Sequence, residues 1–186
     1  MNIKKVIDQV KAKCPTFESR VAGAAEYENL RTVSNMTIPA AYVIPLDDNA
    51  GEERSGNSYL QSLTDAFAVV VVITNRNDER GQDAINAVQQ LRKELHKALL
   101  GFDLSDADYD YDGIVYQGGN LLFMDRQRLD YQFEFSAETT IDVNDTSLAD
   151  DYDNMPAFGS VTIEIDHKDL PPDGTVDHTL DIPLPQ

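Results

Sequence analysis

The stretch 66-AFAVVVVIT-74 predicts a β-strand inside the molecule. β-Branched residues dominate it and apolar side chains fall on both of its faces, as expected for a strand in a sheet covered on each side. A helix is predicted directly after it. Asn77 or Asp78 caps that helix, Glu79 and Asp83 suit the positive end of its dipole, and Gly101 closes it just after Leu99 and Leu100. Ile85, Val88, Leu91, Leu95 and Ala98 mark one buried stripe, with Asn86, Gln90, Lys93, Glu94 and Lys97 turned outward. His96, near the negative end of the dipole, reads as a solvated or dipole-paired imidazole.

Upstream, Ile3, Val6, Ile7 and Val10 at i, i+3, i+4 and i+7 predict an amphipathic helix halted near Cys14-Pro15. Residues 17–30 predict a second, shorter helix that contains Gly23. AAYVIPL (40–46) reads as a short strand whose Pro45 points to an edge or an end. The polar run DDNAGEERSGNS (47–58) has no apolar face and is predicted as a mobile loop, or as an arm that orders against a partner.

Downstream, IVYQ, a GGN turn and LLFMD lead into RLDYQFEFSAE, where Leu129, Tyr131, Phe133 and Phe135 alternate with Asp130, Gln132, Glu134 and Ser136. That alternation predicts antiparallel sheet with one wet face. Beyond Ile141 the pattern thins, with one further strand expected at SVTIEID (160–166) and a proline-rich close. The expected organisation is therefore α+β, a mixed or antiparallel sheet with helices packed on it, over residues 1–140. Residues 141–186 form an acidic, proline-containing extension.

Charge is the extreme feature, and it belongs to one half. Up to Phe102 there are 13 acidic and 12 basic residues, and from Asp103 onward 20 acidic and 3 basic, so −1 and −17 sum to the net −18. Such a surface repels phosphate and argues against gripping nucleic acid or an anionic membrane, while leaving room for a path along which DNA slides without sticking. Cys14 is the single cysteine, which excludes an internal disulfide and fits a reducing compartment. The opening MNIKKVIDQVKAK has lysines with no apolar stretch behind them, so neither a secretion signal nor a membrane span is expected.

DADYDYDG (106–113) starts like an EF-hand loop, with Asp108, Asp110 and Asp112 on alternate positions and Gly113 after them. Numbered from Asp108, the twelfth position, which needs a bidentate Glu, is Gly119, and the ninth is Tyr116. A turn leading into a strand accounts for the same residues without a metal. His167 beside Asp166 and Asp169, and His178 beside Asp177, sit in a weakly patterned tail with no sign of a walled pocket. The sequence holds no phosphate loop, GxSxG, HExxH or CxxC. No catalytic residue, metal ligand or cofactor is assigned. A chain with edges, a polar arm and no visible chemistry points to assembly.

Residues 69–102 (VVVVITNRNDERGQDAINAVQQLRKELHKALLGF), followed by 116–139 (YQGGNLLFMDRQRLDYQFEFSAET) and preceded by PAAYVIPL (39–46), resemble the tail terminator proteins of long-tailed bacteriophages. Asn75, Gly81, Leu99, Gly101, Gly118, Gly119 and Phe135 are the recurring marks, and the resemblance spans roughly residues 1–140. It implies a structural virion protein at the head-proximal end of the tail, assembled in the host cytoplasm. As a homohexameric ring it would cap the tail tube, stop polymerisation and present a docking surface to the head or its connector. Its expected partners are its own copies, the tube protein, the head-tail connector and, in a contractile tail, the sheath. Asp47, Asp48, Glu52, Glu53 and Arg54 are the candidate subunit or tube contacts. Asp106, Asp108, Asp110 and Asp112 are the candidate acidic lining of a DNA channel, in a ring whose six copies of −18 sum to −108. The rivals are a head completion or tube protein, which would need a long hairpin not evident in the sequence, and, from another class, an acidic enzyme or a calcium-dependent binding module using Asp103–Asp112.

Overall fold

The computed structural model describes residues 1–25, 27, 37–54, 56, 58–75, 82–107, 109–154, 160–165, 176 and 178–183. They divide into two compact units, Met1–Asp145 and Thr146–Gln186.

The first unit is α+β. Helix α1 (Ile3–Lys13) starts where the side chain of Asn2 accepts hydrogen bonds from the amides of Lys4 and Lys5, and it stops at Cys14-Pro15 as predicted. Val6 and Val10 are fully buried. The helix expected over 17–30 does not form as such. Pro15–Phe17 make a 3-10 turn, Glu18 and Ser19 take left-handed conformations, and Val21–Gly23 are a strand, β1. Pairing decides this: β1 runs parallel to Ala41–Val43, and the amide of Ala41 donates to the Arg20 carbonyl at 2.9 Å. Ala24, Ala25 and Tyr27 are helical.

Strands β2 (Ala40–Glu53), β3 (Leu60–Thr74), β4 (Val115–Met124) and β5 (Arg128–Asp142) complete a mixed sheet of order β1-β2-β3-β5-β4, antiparallel except at β1. β3 lies in the middle, paired with β5 from Leu60↔Asp142 to Thr74↔Arg128. Phe67, Val69, Val71 and Ile73 point into the main core, with Phe133 and Phe135 of β5 and Val6 and Val10 of α1. Val70 and Val72 point the other way, into a smaller cluster with Ala40 and Tyr42. Both faces of the interior strand are therefore covered, and each fully buried valine contributes roughly 1.5–3 kcal/mol of burial.

Helix α2 (Gln82–Leu99) lies on the main core. Its predicted caps, Asn77 and Asp78, lie outside the described residues, as do Glu79 and Gly81. Val88, Leu91, Leu95 and Ala98 are buried as expected, whereas Ile85 is 55% exposed: the buried stripe begins one turn later, at Val88. Gly101 adopts φ +73°, the left-handed conformation a helix end favours in glycine, and its amide donates to the Ile114 carbonyl. His96 is not freely solvated. Its ring packs 4.7 Å from that of Tyr116, and burial, then Arg92, lowers its pKa.

Two predictions around β4 and β5 are corrected. Gly118 and Gly119 lie inside β4 and make no turn, and the reversal comes at Asp125–Gln127 instead. There the Asp125 carboxylate accepts from the amides of Arg128 and Gln127, which lowers its pKa. Gly119 is needed for close approach: a Cβ would lie 2.9 Å from the Gln132 carbonyl oxygen and 2.9 Å from the Tyr131 ring. The expected wet face of β5 is only partly wet: Gln132 and Glu134 in its middle are half-buried, and its two ends are covered. Asp130 and Ser136 are buried, Asp130 beside Arg128 and Ser136 accepting from Gln117. Strict alternation of polar residues marks a face, but a polar face can be covered when its groups find partners.

The second unit contains a short helix, α3 (Leu148–Asp153), and a two-stranded hairpin, β6 (Ser160–Ile165) with β7 (His178–Pro183). The register places Val161, Ile163, Ile165, Leu180 and Ile182 on one face and Thr162, Glu164, Thr179 and Asp181 on the other. β6 matches the strand expected at 160–166, while β7 was not foreseen. His178 is an exposed residue of β7; Asp166, His167, Asp169 and Asp177 lie outside the described residues. Among the described residues no helix is long and apolar enough to cross a membrane.

Candidate functional site

Residues 47–53 are strand, which corrects the predicted mobile loop over 47–58. β2 continues through Glu53 and pairs with β3 at Asp48↔Asp65, Asn49↔Thr64, Ala50↔Leu63 and Glu53↔Gln61, with irregularities after Pro45 and after Ala50. Gln61 Nε2 donates to the Gly51 carbonyl at 2.8 Å, and the Arg54 amide to the Leu60 carbonyl at 2.9 Å. The result is an arm built on the long β2–β3 hairpin, backed by the end of β5. Both sides of it meet water, so the ladder of backbone hydrogen bonds holds it without the apolar alternation by which strands are recognised. Asp47, Asp48, Glu52, Glu53 and Arg54 are all exposed along its outer strand and tip. Pro45, which cannot donate to a ladder, sits where β2 has lost β1 as a neighbour, in keeping with its predicted edge position.

The acidic stretch folds back onto the base of that arm. The Asp106 carboxylate accepts from the Tyr109 amide at 3.1 Å, and Ser105 Oγ accepts from the Tyr111 amide at 2.8 Å. Hydrogen bonds from Ser105 hold the Asp103 carboxyl below the usual range. Asp112 N donates to the Glu138 carbonyl, Thr139 Oγ1 to the Asp110 carbonyl, and Tyr111 bridges to Thr139. Tyr111 is the anchor. Its ring is buried and its hydroxyl donates at 2.6 Å to Asp65 Oδ2, which also lies 3.1 Å from the amino group of Met1. Burial, and then the Asp65 carboxylate, push the Tyr111 pKa upward.

Beside this anchor is a cleft of about 520 Å³ whose walls include Asp110, Asp112, Glu138, Asp142 and Asp145. The structure therefore gathers two of the four predicted channel aspartates. Asp106 is exposed elsewhere on the same loop, and Asp108 lies outside the described residues. Glu138, Asp142 and Asp145 were not singled out in the sequence, because only the β5 register brings them to this loop. Among the described residues no group of three or more His, Cys, Asp or Glu is arranged to hold a metal ion. Tyr116 and Gly119, which occupy EF-hand positions nine and twelve, are residues of β4.

The third feature is the free edge of the sheet. Among the described residues β4 pairs with β5 on one side only, and Leu121, Leu122, Phe123 and Met124 are exposed at 51, 42, 44 and 42%. Four consecutive exposed apolar residues on an edge strand are a contact surface or a liability. The sequence showed their hydrophobicity but, with a turn predicted at GGN, not their place at an edge.

A protein-family model described as Phage tail terminator protein matches residues 1–145. Those residues coincide with the first compact unit. No curated protein sequence matches the chain. Among solved structures it is similar to a chain of the virion of a native gene transfer agent (GTA) particle, with a TM-score of 0.45 and 14% identity, covering 73% of this chain and 92% of that chain.

Proposed function

The chain belongs to the phage tail terminator family, and from that premise we propose that it closes the tail tube of a long-tailed phage as a homohexameric ring. The ring stops tube polymerisation and offers the head or its connector a docking surface. The observation that carries this reading is the coincidence of the family match with a complete folded unit, residues 1–145. The work is done by geometry and charge, without catalysis. In this reading Asp47, Asp48, Glu52, Glu53 and Arg54 of the arm meet a neighbouring subunit or the tube. Asp106, Asp108, Asp110 and Asp112 repel the DNA that passes through. The extension expected from residue 141 begins instead at Thr146, because β5 runs on to Asp142 and residues up to Asp145 belong to the first unit; in this reading residues 146–186 brace a neighbour or meet the sheath.

The test is an elongation assay. Tube protein polymerising in the presence of this chain should give tubes that cease to lengthen, each bearing a ring at one end in negative-stain micrographs; elongation at an unaltered rate rules the proposal out. Because the subunits are acidic, ring formation should be favoured by salt, whose screening length is about 8 Å at physiological strength.

One observation favours a second reading, a head completion or tube protein. The long hairpin that such a protein needs for stacking is present as β2–β3. The same assay separates the two, since a tube protein would join the growing polymer and lengthen it.

A further inference from the structure

We propose that β1 and β4, the two ends of the sheet, pair between copies of the chain, so that Leu121 of one subunit lies beside Val21 of the next. This inference deepens the ring reading and rests on it.

Both strands are terminal in the sheet, and among the described residues neither has a strand on its outer side. One row of paired residues crosses all five strands: Leu121↔Tyr131, Tyr131↔Val71, Val71↔Ala41 and Ala41↔Val21. The next two rows end at Asn120 and Ala22, and at Gly119 and Gly23. The two edges are therefore level with each other. β1 is parallel to β2, and three successive antiparallel pairings make β4 run opposite to β2, so β4 and β1 have the senses of an antiparallel ladder. Within one chain β2, β3 and β5 stand between them, so neither edge can complete the other. A second copy that continues the sheet in the same rows sets its β1 against β4. Each subunit then gives one edge and receives the other, a head-to-tail contact of the class that generates closed rings. The arm over 47–53 lies at the other end of β2 and takes no part.

The side chains suit the pairing. In the first row Tyr131, Val71, Ala41 and Val21 face the main core, and Leu121, opposite Tyr131, shares that side. Leu121 is 51% exposed at its own edge. Beside Val21 of a second copy it comes within reach of Ile7 of α1, which is half-buried and 3.9 Å from the Cβ position of Gly23. In the row of Gly119 and Gly23 no side chain stands between the backbones, and a Cβ on Gly118 would meet nothing within 4 Å. Past Leu121 the turn after β4 comes against the turn before β1. Arg126, exposed in the first of these turns, is one of only three basic residues from Asp103 to Gln186. Glu18, in the second, is 74% exposed. Opposite charges thus meet at a point where copies of net charge −18 would otherwise repel.

Charge reversal in the full-length chain tests this by sedimentation velocity, at a concentration where the parent forms rings. Arg126→Glu and Glu18→Lys, both at exposed positions and checked for folding by circular dichroism, should each self-associate about 10-fold more weakly, because each sets like charges face to face. Mixed in equal amounts they should form rings in which the two variants alternate, since every contact then joins opposite charges. Both substitutions in one chain should recover rings for the same reason, and this swap decides the matter if either single variant fails to fold. A second measurement uses Asn120→Cys with Ala22→Cys in one chain. Oxidation should link subunits into chains longer than two, whereas within a subunit the sites are four strand spacings, about 19 Å, apart and cannot bond. Rings formed by either charge variant alone, a mixture or swap that recovers nothing, or cross-linking that stops at dimers overturns the β1–β4 contact while leaving the ring reading intact. A parent chain that forms no rings, with or without tube protein, removes both.

Discussion

Arg128 and Asp130, two residues apart on β5, form an ion pair in which Nη2 lies 3.1 Å from Oδ2 of a carboxylate that is 1% exposed. The guanidinium also lies 5.0 Å from the centre of the Phe123 ring, so one side chain links the covered face of β5 to the edge strand. Removing one member of a buried pair strands the other. Asp130→Ala is expected to cost about 3 kcal/mol, the low end for such pairs because Arg128 keeps 27% of its side chain exposed. Chemical denaturation measures it, and a loss below half that value would show the pair to be solvent-screened.

Gly118 and Gly119 form a matched pair. A Cβ on Gly118 meets nothing within 4 Å, whereas one on Gly119 meets the backbone of Gln132 and the ring of Tyr131. Gly119→Ala should destabilise the chain by about 1–3 kcal/mol through overpacking, and Gly118→Ala should be close to neutral. Equal melting temperatures for the two variants would contradict the close approach of β4 and β5.

Cys14 has no exposed surface, and burial, then the Glu94 carboxylate, push its thiol pKa up to about 11. A disulfide-exchange reagent should label it only after unfolding. The folded value is raised above the ordinary 9.0, so its contribution to stability is intact below pH 9 and is lost as pH rises towards 11. Cys14→Ala should lack this part of the alkaline loss, measured as the difference between the two stability-pH curves. Parallel curves would show that Cys14 titrates alike in both states.

Lysine at Asp110 and Asp112 converts the lip of the acidic cleft from repelling to gripping phosphate. If the chain forms the proposed ring and the cleft faces its bore, each lysine engaged adds about 0.9 to the salt slope of DNA attachment, repeated in every subunit. DNA ejection from otherwise intact particles should then slow, most at low salt. Ejection at the parental rate would place the cleft on the outer wall.

Much of the fold is legible in the sequence wherever an apolar pattern meets a core. The interior strand at Ala66–Thr74, the stripe from Val88 to Ala98, the halt at Cys14-Pro15 and the glycine stop at Gly101 are local matters of side-chain shape and backbone preference, and the structure agrees with each. The acidic second half is equally plain from the residue count. The arm escaped because a strand wet on both sides has no period in its hydrophobicity. Val21–Gly23 escaped because a three-residue strand exists only through its neighbour, β2.

Sequence alone therefore determined the α+β class, the central strand, the major helix and the sign and location of the charge, since each follows from residues adjacent in the chain. Tertiary structure alone decided that Asp130 is buried, that Leu121 to Met124 are exposed on the last strand of the sheet, and that Asp110 and Asp112 share a cleft with Glu138, Asp142 and Asp145. Those facts depend on which strands pair and in what register, and pairing is settled by backbone hydrogen bonds between segments far apart in sequence, to which side-chain patterns are nearly blind.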